Sequence, residues 1–386
     1  MLSFVNDCRE IAREVLPNRP DFSSAYQINN GLCETAACGN AIAYDSKRGL
    51  IFAEYMTGEQ CMYGESTGAV ELVIFPPAQP WNTRRIHIDK IPNASRGFLC
   101  NAIYLIGDAR VRIIYTRDRG EELGSYYKDY DFLTDTLSDR GTMLLRTDRG
   151  DVNLENSTYA ALLADWGYDC PSGCAPIVNK VTRYGGELYT ALTLDGPGYP
   201  VLCRIEGDVF VPFALLPEVG RYEFRYYRDD KGIYGVNRSA IDDTGTGKIG
   251  YFVSRDGGKT WTKALFEDGI QSRPDILDYY GKPLVIYNYK SVQSHENFPP
   301  MHHHRNSVKF IYDGSVLMDI YSKYGIVEHE TVSICGDLYM VFSDAAQALM
   351  HQNGACWQED GLQVENGKEK SNWVKIGYLL ARGEQA

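Results

Sequence analysis

No uninterrupted apolar run in this 386-residue chain is long enough to cross a membrane, and the first 16 residues lack the continuous apolar core of a secretory signal. Positive charge is also scarce. The 39 Lys and Arg face 51 Asp and Glu, a formal net charge of -12. That balance argues against a nucleic acid or an anionic membrane as partner, since both want basic patches. The 10 Cys are scattered over the whole length rather than packed into a short span. They read as thiols of a reducing compartment, and the expected location is cytoplasmic; a leader trimmed away earlier would leave no trace here. Cys170 and Cys174 bracket Pro171-Ser172-Gly173 without a second pair, a spacing too common to mark a zinc site. No cofactor is expected, and whether the His302–His304 run binds a metal stays open. The sequence is silent on oligomeric state.

What is abundant is tyrosine, 28 residues, which favours β structure and sugar-binding surfaces. Met1 to Leu16 mixes Asp7, Arg9, Glu10, Arg13 and Glu14 with apolar residues at helical spacing. Residues 1–20 are therefore expected to form an N-terminal helical segment, and residues 21–386 a single domain. Within that domain the clearest local signal is Ser254-Arg255-Asp256-Gly257-Gly258-Lys259-Thr260-Trp261. Two glycines supply backbone freedom, Asp256 can bond the amides ahead of it, and Thr260-Trp261 restarts a strand. The indole is large enough to pin the turn onto the sheet beneath.

Short strands punctuated by turns recur in groups of four around this hairpin. Residues 223–228, 233–238, 249–254 and 261–266 make the group that contains it. The same scheme places 40–44, 50–55, 70–75 and 85–88 in a first group. Residues 99–106 and 110–115 open a second, with outer strands blurred within 126–146. Residues 177–183, 187–192, 200–206 and 209–215 form a third. Residues 275–279, 283–287, 307–312 and 316–320 follow the hairpin group. The last contains 331–334, 338–342 and 373–380, and 24–28 is expected to supply its missing outer strand and close a ring. Four strands in about 45 residues is the size of a propeller blade. The expected fold is all-β, a six-bladed β-propeller of four-stranded antiparallel blades. Residues 147–174 are either an insertion or a seventh blade.

In such a ring the long loops 56–68, 117–126, 239–248, 289–306 and 345–372 return to one face, where binding tends to reside. The hairpin at Asp256 marks the opposite face. The pattern Ser-x-Asp-x-Gly-x-Thr-Trp resembles the Asp box of sialidase-type propellers, where it is structural. Glu223, Arg238, the box, and Arg305-Asn306 then occur in the order of the back half of the sialidase pattern. The resemblance implies that Glu223 is the acidic partner of a nucleophile and that Arg238 and Arg305 grip a substrate carboxylate, which suits bidentate guanidinium pairing. It also implies a general acid in the first top loop, where Glu65 lies in Tyr63-Gly64-Glu65-Ser66. Cys33-Glu34-Thr35-Ala36-Ala37 stands where sialidases carry a Phe-Arg-Ile-Pro-like segment, and Val327-Glu328-His329-Glu330 stands where they carry a Tyr nucleophile. The residues therefore also allow a different glycosidase on this scaffold, with Glu65 and one of Glu223, Glu328 or Glu330 as its carboxylate pair.

Two other functions stay open. His295, His302, His303 and His304 precede Arg305 in one loop, and Arg273 starts an inner strand at the same face. Imidazole titrates near neutrality, so His303 is a candidate base, with His302, His304, Arg273, Arg305 and Tyr287 as substrate-binding groups. Propeller lyases of uronate-containing glycans, which this fold also resembles, use such a set. The third reading is a non-catalytic glycan-binding propeller. In all three the expected partner is an oligosaccharide, and in the first it is a terminal acidic sugar.

Overall fold

The computed structural model describes residues 24–28, 38–57, 65–80, 82–95, 99–117, 124–170, 176–194, 197–218, 220–221, 223–238, 248–270, 272–289, 307–321, 326–344 and 373–379. The expected N-terminal helical segment lies outside them. Apolar residues alternating within short runs, broken by tight turns, produce ladders in six successive larger sheets, beside a two-stranded ribbon of Pro197–Gly198 and Gly220–Arg221. The first sheet takes Cys38–Asp45, Leu50–Thr57, Glu65–Phe75 and Arg84–Ser95 in order. The fourth takes Phe224–Asp229, Gly232–Arg238, Ile249–Ser254 and Thr262–Phe266; the fifth, Asp275–Tyr279, Lys282–Asn288, Ser307–Tyr312 and Ser315–Tyr321. The sixth joins Val327–Ile334, Asp337–Asp344 and Trp373–Leu379 to Ser24–Gln27, so a strand from near the N-terminus supplies the outer position, as expected.

The first strands of these sheets touch one another in cyclic order. Cys38–Asp45 meets both Leu99–Ile106 and Val327–Ile334, and Asp275–Tyr279 lies between Phe224–Asp229 and Val327–Ile334. An apolar cluster fills each seam. Phe52 packs with Ile113 between the first and second sheets, and Tyr226 with Leu202 between the third and fourth. Val236 packs with Ile276 between the fourth and fifth, and Val73 with Val341 between the sixth and first. The arrangement is propeller-like.

The expectation of uniform four-stranded blades needs correction at two sheets. In the second, Leu99–Ile106, Arg110–Arg117 and Gly124–Asp131 are regular, but the fourth position is divided between Thr136–Leu137 and Gly141–Thr142. In the third, the inner strand is split into Pro176–Val178 and Thr182–Tyr184, both paired with Glu187–Leu194. Beyond Val201–Glu206 and Val209–Leu215 that sheet continues through Leu144–Thr147, which pairs in parallel with Val209–Leu215, and Gly150–Asn153. Residues 144–153 thus enlarge the third sheet and make no seventh blade. The helix Asn156–Asp165 follows, its first turn fixed by reciprocal bonds between Glu155 and Thr158, and it buries Tyr159, Leu162 and Leu163 against that sheet. Regular four-stranded blades number four, the first, fourth, fifth and sixth sheets, which corrects the expectation of six.

The hairpin at Ser254 forms as expected. The Asp256 carboxylate accepts from the Lys259 and Thr260 amides at 3.1 and 2.9 Å and from the Thr260 hydroxyl at 2.6 Å. Those Thr260 bonds, with one from Ser254, hold the Asp256 pKa at about 2. The buried Ser254 Oγ accepts the Gly258 amide at 2.8 Å, and Trp261 Nε1 donates to Leu215 O at 3.2 Å, tying the turn to the third sheet. Ser254→Ala strands the Gly258 N–H and is expected to cost about 1–3 kcal/mol, read as a lower denaturation midpoint.

Candidate functional site

The inner strands carry polar residues where a barrel of this kind would otherwise be apolar. Asp275, the first residue of the fifth sheet, is fully buried. Its oxygens accept from Lys180 Nζ at 2.9 and 3.0 Å, from the Ile276 amide at 2.8 Å and from the Thr331 amide at 2.7 Å. Lys180 reaches it from the break in the inner strand of the third sheet and also donates to Thr331 O at 2.8 Å. Asn179 stabilises that break by donating Nδ2 to Ala191 O and Thr193 Oγ1.

Arg225 of the fourth sheet, also fully buried, donates Nη2 to Glu330 Oε2 at 2.7 Å and Nη1 to His329 O at 3.2 Å, with Nη1 3.3 Å from Asp275 Oδ1. Glu330 Oε1 accepts the Ile42 amide of the first sheet at 3.1 Å, and Arg273 Nη2 stands 3.9 Å from Glu330 Oε2. Residues of five sheets therefore meet on the axis. Burial alone would push the Asp275 carboxyl up, but Lys180 and Arg225 outweigh it and hold its pKa below the ordinary value. Burial, then the neighbouring Arg273, draws Arg225 below the ordinary guanidinium value.

Glu223 and Arg238 lie at one end of this network. Arg238 Nη1 donates to Glu223 Oε2 at 3.0 Å and Oε1 at 3.3 Å, and the Arg238 amide donates to Glu223 O at 3.0 Å. Their side chains keep 12–13% exposure, whereas Arg225 and Asp275 keep none. The floor is closed, and its two carboxylates, Asp275 and Glu330, are taken up by internal donors. The Glu223–Arg238 pair is the part that solvent reaches.

Four of the sequence-predicted residues, Glu223, Glu330, Arg238 and Arg273, thus gather around Arg225. Tyr287 does not, which corrects its placement as a substrate-binding group. It is buried in the seam between the fourth and fifth sheets, stacked on Phe266 at 4.6 Å with its hydroxyl donated to Asp268 at 3.0 Å. Glu65 opens the strand Glu65–Phe75 rather than lying in a loop, and Glu328 sits in Val327–Ile334 where the register shifts. The side chains of both lie outside the described residues, as do His302, His303, His304 and Arg305. Among the described residues no group of three His, Cys, Asp or Glu is placed to hold a metal ion.

Sequence reasoning passed over Lys180, Arg225 and Asp275. The available signal was an ionic residue inside an apolar inner strand, as in Phe224-Arg225-Tyr226-Tyr227.

No protein-family model matches the sequence, and no curated protein matches it. Among solved structures the chain is similar to the α-L-arabinofuranosidase Arb93A of Fusarium graminearum, solved with an iminosugar inhibitor. The likeness covers 88% of this chain and 93% of that one at 9% identity, TM-score 0.48. It is also similar to the endosialidase of phage phi92, over 95% of this chain and 70% of that one at 10% identity, TM-score 0.45. A third similar structure is the polysaccharide lyase Uly1, covering 91% of both chains at 11% identity, TM-score 0.44.

Proposed function

We propose that this protein is a carbohydrate-active enzyme of the sialidase-like kind, a glycoside hydrolase that takes a terminal acidic sugar at the axial end marked by Glu223 and Arg238. In this reading the six sheets act as six blades, the second and third elaborated. The observation that carries it is the partly exposed Glu223–Arg238 pair above a buried ionic floor whose carboxylates are bound internally.

Asp275 and Glu330 are committed to internal donors, so neither is available to exchange a proton with substrate. Glu223 is the carboxylate that can meet a ligand. A substrate carboxylate takes a share of the Arg238 guanidinium, and Glu223 then acts on the anomeric centre or on a nucleophile. Glu65 and Glu328 are the candidates for the second acid that glycoside cleavage requires.

The test is release of aglycone from aryl glycosides of sialic acid, glucuronic acid and neutral sugars. Glu223→Gln, with its unfolding midpoint unchanged, is expected to lose at least about a hundredfold in turnover. Glu65→Gln and Glu328→Gln then show which carboxyl is the partner. Unchanged turnover in Glu223→Gln, or no cleavage by the wild type, removes the reading. An unsaturated, ultraviolet-absorbing product from a uronate glycan replaces hydrolysis by elimination.

A further inference from the structure

Asn237 lies one residue before Arg238 and is 1% exposed, yet neither its Oδ1 nor its Nδ2 has a hydrogen-bond partner. Buried amides are ordinarily paired, and an orphaned one is costly. Two other buried asparagines in this ring engage at least their Nδ2. Asn179 donates to Ala191 O and Thr193 Oγ1, and Asn288, which ends the second strand of the fifth sheet, donates to Ser307 O and Ile326 O.

Neither cross-strand neighbour of Asn237 offers its amide a polar side chain. Its partner on one side is Phe224, whose ring leans away over Gly235, where an added Cβ would stand 2.2 Å from the ring. Its partner on the other side is Gly250, which has no side chain. Of the other buried polar atoms without a hydrogen-bond partner, Arg225 Nε and Thr331 Oγ1 belong to the axial network.

We propose that Asn237 is a specificity-determining contact, its carboxamide completed by a hydroxyl or acetamido group of the bound saccharide. The inference rests on the glycoside reading above. A carboxamide offers one donor group and one acceptor, so it selects a ligand group that both donates and accepts, which a carboxylate does not. Strand alternation turns Asn237 toward the third sheet and Arg238 toward the fifth. A sugar held by both straddles the end of the fourth sheet, its acidic substituent on one side and its hydroxyl or acetamido substituent on the other.

Asn237→Ala and Asn237→Val separate a ligand contact from a structural one. The unfolding midpoint is measured by thermal denaturation, and affinity by calorimetry with sialic acid, glucuronic acid and N-acetylglucosamine as methyl glycosides. Both variants are expected to melt at or above the wild-type midpoint, because no internal bond is lost. Affinity is expected to fall about tenfold, together with discrimination among the three sugars. A lower midpoint in both variants shows that the amide has an internal role and overturns the proposal. Unaltered affinity in stable variants also overturns it, and leaves the glycoside reading standing. A wild type that binds none of the three sugars removes both.

Discussion

Alanine in place of Asp275 is expected to lower the stability of the folded chain by about 3–5 kcal/mol, the cost of leaving buried charge without its partner. Asp275 is the acceptor for Lys180 Nζ at 2.9 and 3.0 Å and lies 3.3 Å from Arg225 Nη1, all three side chains being at most 8% exposed. The Ile276 and Thr331 amides lose their acceptor as well. Denaturant unfolding at neutral pH measures the effect, and a midpoint equal to that of the wild type contradicts it. Removing both charges, as in Lys180→Met with Asp275→Leu, is expected to recover most of the loss, since an apolar pair of similar volume needs no counter-charge. Recovery stays incomplete because Arg225 keeps one carboxylate, Glu330, where it had two. The same carboxyl sets an acid limit. Its folded pKa lies below the ordinary 3.8, so its contribution is present above that value and is lost as pH falls through the lower folded one. The alanine variant is expected to lose this part of the acid dependence.

Valine at Gly258 is expected to cost about 2–5 kcal/mol. Gly258 has φ +94°, where a side chain strains the backbone, and an added Cβ would stand 2.4 Å from Ala214 Cβ in the third sheet. Left-handed backbone for an L-residue accounts for about 1–2 kcal/mol and overpacking for about 1–3 kcal/mol. Valine at Gly257, whose φ is +75° with open space around it, isolates the backbone part. A Gly258 variant no worse than the Gly257 variant would show that the turn does not press on the third sheet.

Much of the ring was legible because its signals are local. Alternating apolar runs and two-residue turns such as Asp313-Gly314, both at positive φ, announce hairpins within a few residues. Even the outer strand of the sixth sheet was readable, since Ser24–Gln27 has strand character and Trp373–Leu379 needed a neighbour. The enlargement of the third sheet was not, because Leu144–Thr147 pairs in parallel with a strand more than sixty residues away and no turn announces such a pairing. The axial site was half legible for the same reason. Glu223 and Arg238 flank one hairpin, but Glu330 and Ile42 are 288 residues apart, and nothing near Lys180 or Asp275 tells either that the other is opposite. Tyr287 was misplaced because strand position alone does not say whether a residue faces the axis or a seam.

The pairing of Ser24–Gln27 with Trp373–Leu379, Ser24 opposite Tyr378 and Gln27 opposite Lys375, has a consequence for how the chain can be cut. At that junction the ring is held shut by a hydrogen-bonded ladder instead of by a peptide bond. A circular permutant that links Leu379 to Ser24 and opens between Tyr280 and Gly281, an exposed turn between adjacent strands, keeps every ladder described above. The order in which the sheets are synthesised can thus be changed while Lys180, Arg225, Asp275 and Glu330 keep their places around the axis.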